Sequence, residues 1–408
     1  MTTSSPLNPW RPFLRWMLAT VVLTLAVVGA FNAFIDPLGV FGSPRMAGLN
    51  ATKPQLDHHR ELARWEGARR LCTNAGIFGN SRTEIGFDPE NPAFGERRIS
   101  AFNHGIAGTS ARLSYRQLRW LQTSGCMPET IILNVEFFDF FGGDTPTPLP
   151  PAESDPPPRV DARFLVETVF SLTGLRDAVN TVLLQRSRYP ATLTERGFSP
   201  LYNYIGEVEQ AGHYILFRQR AEENARKWLR KPHRLLPLKG GISADQQDVE
   251  AVVDLATAAG SKVHLVIYPY HAQFRLILER LGLGELFADW KRMVVAIADR
   301  HGGGPGRVQV WDFSGIAPET LEAIPPAGDR RTHLRYYWEG GHFKKALGDR
   351  VIARILGEPA EFGQQIDSTS IDNWLVEDRG RVLALLATPG PLLTEVDDIL
   401  ARAQKISR

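Results

Sequence analysis

Ala75-Gly76-Ile77-Phe78-Gly79-Asn80-Ser81-Arg82 is the stretch on which the fold turns. A short, unbroken apolar run bounded by glycine and polar residues reads as a strand buried on both faces. The glycine that follows allows a sharp turn, so that Ser81 stands clear of the strand's carboxyl end. In open α/β sheets that edge is where ligands bind. A serine in this position is either a nucleophile or a turn and helix-capping residue, and this stretch alone supports both.

Working outward, further apolar runs at 98–102, 130–133, 263–267 and 308–311 are strand candidates. Helical periodicity separates them: 110–123 lies between the second and third. Val249, Val252, Val253 and Ala256 form a stripe before the fourth, and Trp290, Met293, Val294 and Ile297 form one before the fifth. Phe343, Leu347, Val351 and Ile355 recur every four residues, with Gly357 as a helix stop. Strands alternating with helices in this way predict an α/β domain with a parallel sheet covered on both faces.

Three other strand ends carry chemistry. The second is followed by Asn103-His104-Gly105-Ile106-Ala107-Gly108, whose glycines let backbone amides approach a ligand. A dinucleotide loop is the rival there, but no Gly-x-Gly-x-x-Gly is present. The third ends in Leu133-Asn134-Val135-Glu136, placing an amide donor at the same edge. Far downstream, Glu339-Gly340-Gly341-His342 supplies an imidazole with a carboxylate three residues before it. Hydroxyl, imidazole and carboxylate are the components of an activated serine.

Together these four segments resemble the blocks of the SGNH/GDSL hydrolase superfamily, in order and spacing, over about residues 70–145 and 245–357. The membrane-anchored form with a helical insertion is similar to SGNH-like proteins of bacterial cell envelopes, some linked to exopolysaccharide acetylation. The resemblance implies a flavodoxin-like three-layer parallel sheet of SGNH type. It makes Ser81 the nucleophile, His342 the general base and then acid, and Glu339 the group that orients the imidazole. Ser81, Gly108 and Asn134 would form the oxyanion hole. In the family the first block carries Asp where Asn80 stands and the triad carboxylate is Asp where Glu339 stands. The third block here also lacks the family's glycine and second acid. His342 is expected to open the helix that follows it.

Two neighbours are candidate substrate contacts. Arg82 either faces the pocket, where it would bind an acidic group, or forms a salt bridge. His271, in Tyr268-Pro269-Tyr270-His271 after the fourth strand, either lines the pocket or is a hydrogen-bonded structural histidine. Asp57-His58-His59 is no metal site by spacing, because adjacent histidines on a helix diverge. No metal and no cofactor are expected.

The run from Trp16 to Ile35 holds no charged residue and matches the ~20 residues needed to span a bilayer core. Arg11 and Arg15 precede it, which predicts a cytoplasmic N-terminus. A cleaved signal peptide is the alternative; the long apolar run through Phe31, Phe34 and Ile35 favours an uncleaved single-pass anchor in the inner (cytoplasmic) membrane. The rest would then be periplasmic or otherwise extracytoplasmic. The two cysteines suit an oxidising compartment: Cys72 lies nine residues before Ser81, and Cys126 eight before Asn134. On adjacent strands they would sit level and could bond; two separate buried thiols are the alternative.

The expected organisation is a stub and anchor (1–37), a connector (38–74) with a helix from Gln55, a core first half (75–144), a proline-rich tether with a helical insertion (145–244), a core second half (245–357) and a helical tail (358–408). The insertion is basic at Arg218, Arg220, Arg226, Lys227, Arg230, Lys231 and Arg234, with Trp228 among them. It reads as a solvated helix face or as a contact surface for anionic glycan or lipid headgroups. A net charge of +2 over 408 residues gives no argument for nucleic acid. The expected partners are the bilayer, an acyl ester or glycan substrate, and envelope polysaccharide machinery. The expected function is a serine esterase or O-acyltransferase; the alternatives are a catalytically silent binding or assembly component, or recruitment of a partner by the insertion.

Overall fold

The computed structural model describes residues 10–55, 59–151, 154–230, 232–301 and 306–407. The chain divides into two compact units, one made of residues 1–63 and 158–192, the other of 64–157 and 193–408. The stretch expected as one insertion, 145–244, is therefore shared between them.

In the first unit the helix Trp10–Ile35 is long and apolar enough to cross a membrane. Its 26 residues rise about 39 Å, more than a hydrocarbon core of about 30 Å. Most of its large apolar side chains are exposed, Trp16, Leu18 and Leu23 among them. Its C-terminal end is tied down. The Asp36 carboxylate accepts the backbone N–H groups of Val40 at 2.9 Å and Gly42 at 3.1 Å. Lys53 Nζ, itself buried, donates to the carbonyls of Ile35 and Asp36 at 2.9 and 2.7 Å, satisfying acceptors that a helix end leaves open. Asn32 donates to Val169 O, joining this end to the 158–192 segment.

The second unit is mixed α/β. Its sheet contains β1 (Ala75–Phe78), β2 (Ala101–Asn103), β3 (Thr130–Val135), β4 (Lys262–Ile267), β5 (Val308–Asp312) and, after the small hairpin of β6 (Tyr337–Glu339) and β7 (His342–Phe343), β8 (Gln364–Ile366). The order is β2-β1-β3-β4-β5-β8, parallel except for β8. Every residue of β1, and all but the first of β3 and β4, is buried, which is why these strands read as continuous apolar runs. The expected helices stand at Ala111–Thr123, Ala244–Ala258, Gly284–His301 and Lys345–Ile355. Val249, Val252, Val253 and Ala256 are buried as one stripe, as are Trp290, Val294 and Ile297.

Three local expectations are corrected. The strand read at 98–102 begins at Ala101, because Arg98 adopts φ 56° in a turn. The connector helix runs Arg60–Leu71; Asp57 and His58 lie outside the described residues. The tail contains β8 and two helices, Ile371–Ala387 and Pro391–Ser407, where one was expected.

Two covalent or ionic ties hold the second unit. Cys72 and Cys126 form a disulfide, with Cα atoms 5.1 Å apart. Strand register brings them level: Ala75 pairs with Thr130, and each cysteine lies just before its strand. At the far side of the sheet, buried Lys291 sits 2.6 Å from Asp312 and 3.0 Å from Asp378, while Arg275 pairs with Asp378 at 2.9 Å. Trp374 Nε1 donates to Asp312, so the helix Ile371–Ala387 is latched to the end of β5.

Both ties are testable by urea denaturation. The disulfide closes a loop of 54 residues, so the Cys72→Ala/Cys126→Ala protein should lose about 4 kcal/mol and become insensitive to reductant. Lys291→Met leaves buried Asp312 without its cation and Asp378 with Arg275 alone, and should cost about 3–5 kcal/mol.

Candidate active site

β1 ends between β2 and β3, where the chain leaves first to one side and then to the other, the point at which open sheets form a crevice. Gly79 turns there at φ 149°. A Cβ on it would lie 2.3 Å from Thr83 Oγ1 and 2.7 Å from Tyr268 Oη, so only glycine fits. Asn80 then caps the short helix Ser81–Gly86, its Oδ1 accepting the Arg82 N–H at 3.0 Å. Tyr268 O–H donates to the same oxygen. Ser81 is the first helical residue and stays partly exposed.

The other half of the site is the β6–β7 hairpin. His342 does not open a helix, contrary to expectation; the helix begins at Lys345, and His342 pairs with Glu339 across a Gly340-Gly341 turn. Two-residue glycine loops are natural hairpin connections. The hairpin brings His342 Nε2 to 2.9 Å from Ser81 Oγ. Its Nδ1 faces Glu339 Oε1 in a short contact, which fixes the tautomer with the proton on Nδ1 and leaves Nε2 to accept from the hydroxyl. Glu339 is 1% exposed, and its other oxygen accepts the Gly341 N–H at 2.7 Å. Burial pushes its carboxyl up, but His342, Arg220 and the Gly341 amide outweigh burial and hold it at about 2.

Two residues whose roles the sequence did not reveal brace this hairpin. Arg220, from the helix His213–Leu229, stands 3.4 Å from Glu339 Oε1. His213, on the same helix, donates from Nδ1 to Trp338 O at 3.0 Å and accepts the Leu334 N–H on Nε2. Burial lowers it to about 4, which suits a neutral ring used at both nitrogens.

Arg82 lies between the halves. It donates from Nε to Gly341 O at 2.7 Å and pairs with the Glu136 carboxylate. Its guanidinium packs over the rings of Tyr268 and Tyr270, and Tyr270 O–H donates to Glu136 at 2.7 Å. Of its two expected roles, the structure gives Arg82 the salt bridge. His271 caps the helix Ala272–Arg280, accepting the Gln273 N–H on Nδ1 and donating from Nε2 to Glu322 O. It is buried, and burial lowers it to about 4.

The oxyanion candidates are placed as follows. Asn134, buried at the end of β3, donates one amide hydrogen to Phe78 O at 3.1 Å, and its Oδ1 has no protein partner. Gly108 adopts φ 76° in the loop after β2, with open space where a Cβ would stand. That loop is held by Asn103, which donates to Thr83 O and Phe87 O and accepts the Gly105 N–H. Glu84 accepts the Ala107 N–H, and Arg64 donates to Gly105 O.

Among the described residues no group of three or more His, Cys, Asp and Glu is gathered for a metal. Of the basic insertion, Arg218 is engaged with Glu222, Glu395 and Asp398, and Trp228 is buried against Phe138. Lys231 lies outside the described residues. No family model, curated protein or solved structure matches this chain.

The depressed Glu339 carboxyl makes a prediction with a definite sign. Between its ordinary value of 4.5 and about 2, the unfolded chain takes up this proton before the folded one does. Stability contributed by ionised Glu339 is thus full above about pH 4.5 and lost as pH falls through about 2. Urea midpoints across that window should show the native protein losing up to about 3 kcal/mol more than Glu339→Gln, which lacks the titrating group.

Proposed function

We propose that this chain is a membrane-anchored, extracytoplasmic serine esterase or O-acyltransferase of SGNH type, transferring or removing acyl groups on an envelope glycan. The observation that carries the proposal is the 2.9 Å approach of Ser81 Oγ to His342 Nε2, with Glu339 behind the ring. The strand order 2-1-3-4-5, that of flavodoxin-like doubly wound sheets, supports the three-layer reading. The apolar helix Trp10–Ile35 and the Cys72–Cys126 disulfide support an anchored domain in an oxidising compartment.

His342 Nε2 accepts the Ser81 hydroxyl proton as Oγ attacks the acyl carbonyl carbon. The carbonyl π electrons move to oxygen, and that oxyanion is met by the Ser81 and Gly108 backbone amides and the second amide hydrogen of Asn134. Collapse expels the alkoxide, which takes the proton from His342, and leaves the acyl group on Ser81. Water or a sugar hydroxyl then gives its proton to His342, attacks the acyl carbon and displaces Oγ, which recovers the proton. Glu339 remains ionised throughout and stabilises the imidazolium. Esterase and transferase use these same residues and differ in the acceptor admitted.

A fluorophosphonate probe and a short acyl ester such as p-nitrophenyl acetate test the reading. Labelling is expected on Ser81 and is lost in Ser81→Ala, with turnover falling on the order of 10⁴-fold or more. His342→Ala should fall comparably, and Glu339→Gln by about 10⁴-fold through the wrong tautomer. A folded protein that takes no label and turns over no ester would instead be a binding or assembly component.

A further inference from the structure

A second concavity lies in the same unit as the site but does not include Ser81 or His342. It is a cavity of about 580 Å³ bounded by the helices His213–Leu229 and Ala272–Arg280, the segment 321–326 and the turn joining the two terminal helices. Its size is that of a small-molecule site. Phe217, Leu276, Leu321, Ile324, Leu385 and Leu392 supply an apolar lining.

The polar residues of the wall are accounted for with one exception. Glu395 is held by Tyr214 and Arg218, both at 2.9 Å. The Glu322 carboxylate accepts the Arg335 and Tyr336 N–H groups. His271 uses both ring nitrogens as described above. Gln273 is different: it is 1% exposed, yet neither its Oε1 nor its Nε2 has a partner in the protein. A buried carboxamide with both ends unpaired is costly, and few native side chains are left so. Gln273 also abuts the glycine turn between Glu339 and His342, since a Cβ built on Gly340 would lie 3.1 Å from its Oε1.

We propose that this cavity binds a neutral, linear, medium-chain amphiphile whose head group both donates and accepts a hydrogen bond. The head pairs with the Gln273 carboxamide and the chain lies along Leu276, Ile324 and Leu392. A charged head is disfavoured, because the acidic groups of the wall already have their cations and donors. A head group bound at Gln273 rests against the turn that carries Glu339 and His342. The site stands on its own residues, independently of whether Ser81 is a nucleophile.

The full chain in phosphatidylcholine nanodiscs is photolabelled with decanamide bearing a terminal diazirine, and the labelled peptides are mapped by mass spectrometry. Label is expected within 271–276, 321–326 or 385–393 and is displaced by excess decanamide. Ile324→Trp, which fills the cavity, should cut labelling about tenfold, and Leu392→Trp serves if the first variant misfolds. Gln273→Leu should weaken labelling by the amide about fivefold while leaving a headless diazirine alkane of the same length unaffected. Label confined to Trp10–Ile35, or label at the cavity peptides indifferent to both kinds of substitution, would mean partition into lipid and would overturn the proposal.

Discussion

A single guanidinium, that of Arg82, references the parts of the candidate site to one another. Its own backbone N–H is fixed by Asn80 at the exit of β1. Its side chain reaches Glu136 just beyond β3, lies over the two tyrosines that follow β4, and donates to Gly341 at the hairpin tip. Glu136 is 4% exposed, so without this cation its carboxylate would be a buried charge facing only neutral donors, those of Tyr270, Asn80 and the Phe138 N–H, among the described residues. Electrostatics thus forces three strand ends and the hairpin into one arrangement. The serine hydroxyl next in sequence to Arg82 and the imidazole next to Gly341 inherit their separation from it.

Much of this was readable from residue order because the relevant constraints are local. The apolar runs of β1, β3 and β4 announce themselves, since both faces are buried and no alternation is needed. Ser81, Glu339 and His342 were legible for a related reason: a glycine turn at a strand end and a carboxylate three residues from an imidazole are short-range patterns. The hairpin itself was not legible, because Tyr337-Trp338-Glu339 is too short to show strand periodicity and the residues after His342 continue a helical repeat. β8 was hidden by its glutamines, which suit an edge strand but break any apolar pattern. Arg82 presented two options in sequence, and a contact 54 residues away decided between them. Arg220 read only as one of a run of basic residues and His213 gave no signal at all; the tertiary fold brings them to Glu339 and Trp338.

The sheet's margins show how a largely parallel sheet is finished. β8 enters antiparallel beside β5 and is backed by the latch of Lys291, Asp312, Asp378 and Trp374. At the opposite margin β2 is three residues long, and its Asn103 N–H is taken by Arg196 O. Short and partly covered edges of this kind leave little free ladder for another chain to pair with. The buried charge cluster also explains why the helix Ile371–Ala387 belongs to the unit: without it Lys291 and Arg275 would lose Asp378, and Asp312 would lose the Trp374 donor.

The His342 imidazole and the Glu339 carboxylate occupy opposite ends of one four-residue loop, while the Ser81 hydroxyl belongs to a different segment. Because imidazole and carboxylate share one turn and touch each other directly, a displacement of the turn alters the gap to the hydroxyl before it alters their mutual alignment. Geometric error is thereby funnelled into a single coordinate, the separation of Ser81 Oγ from His342 Nε2.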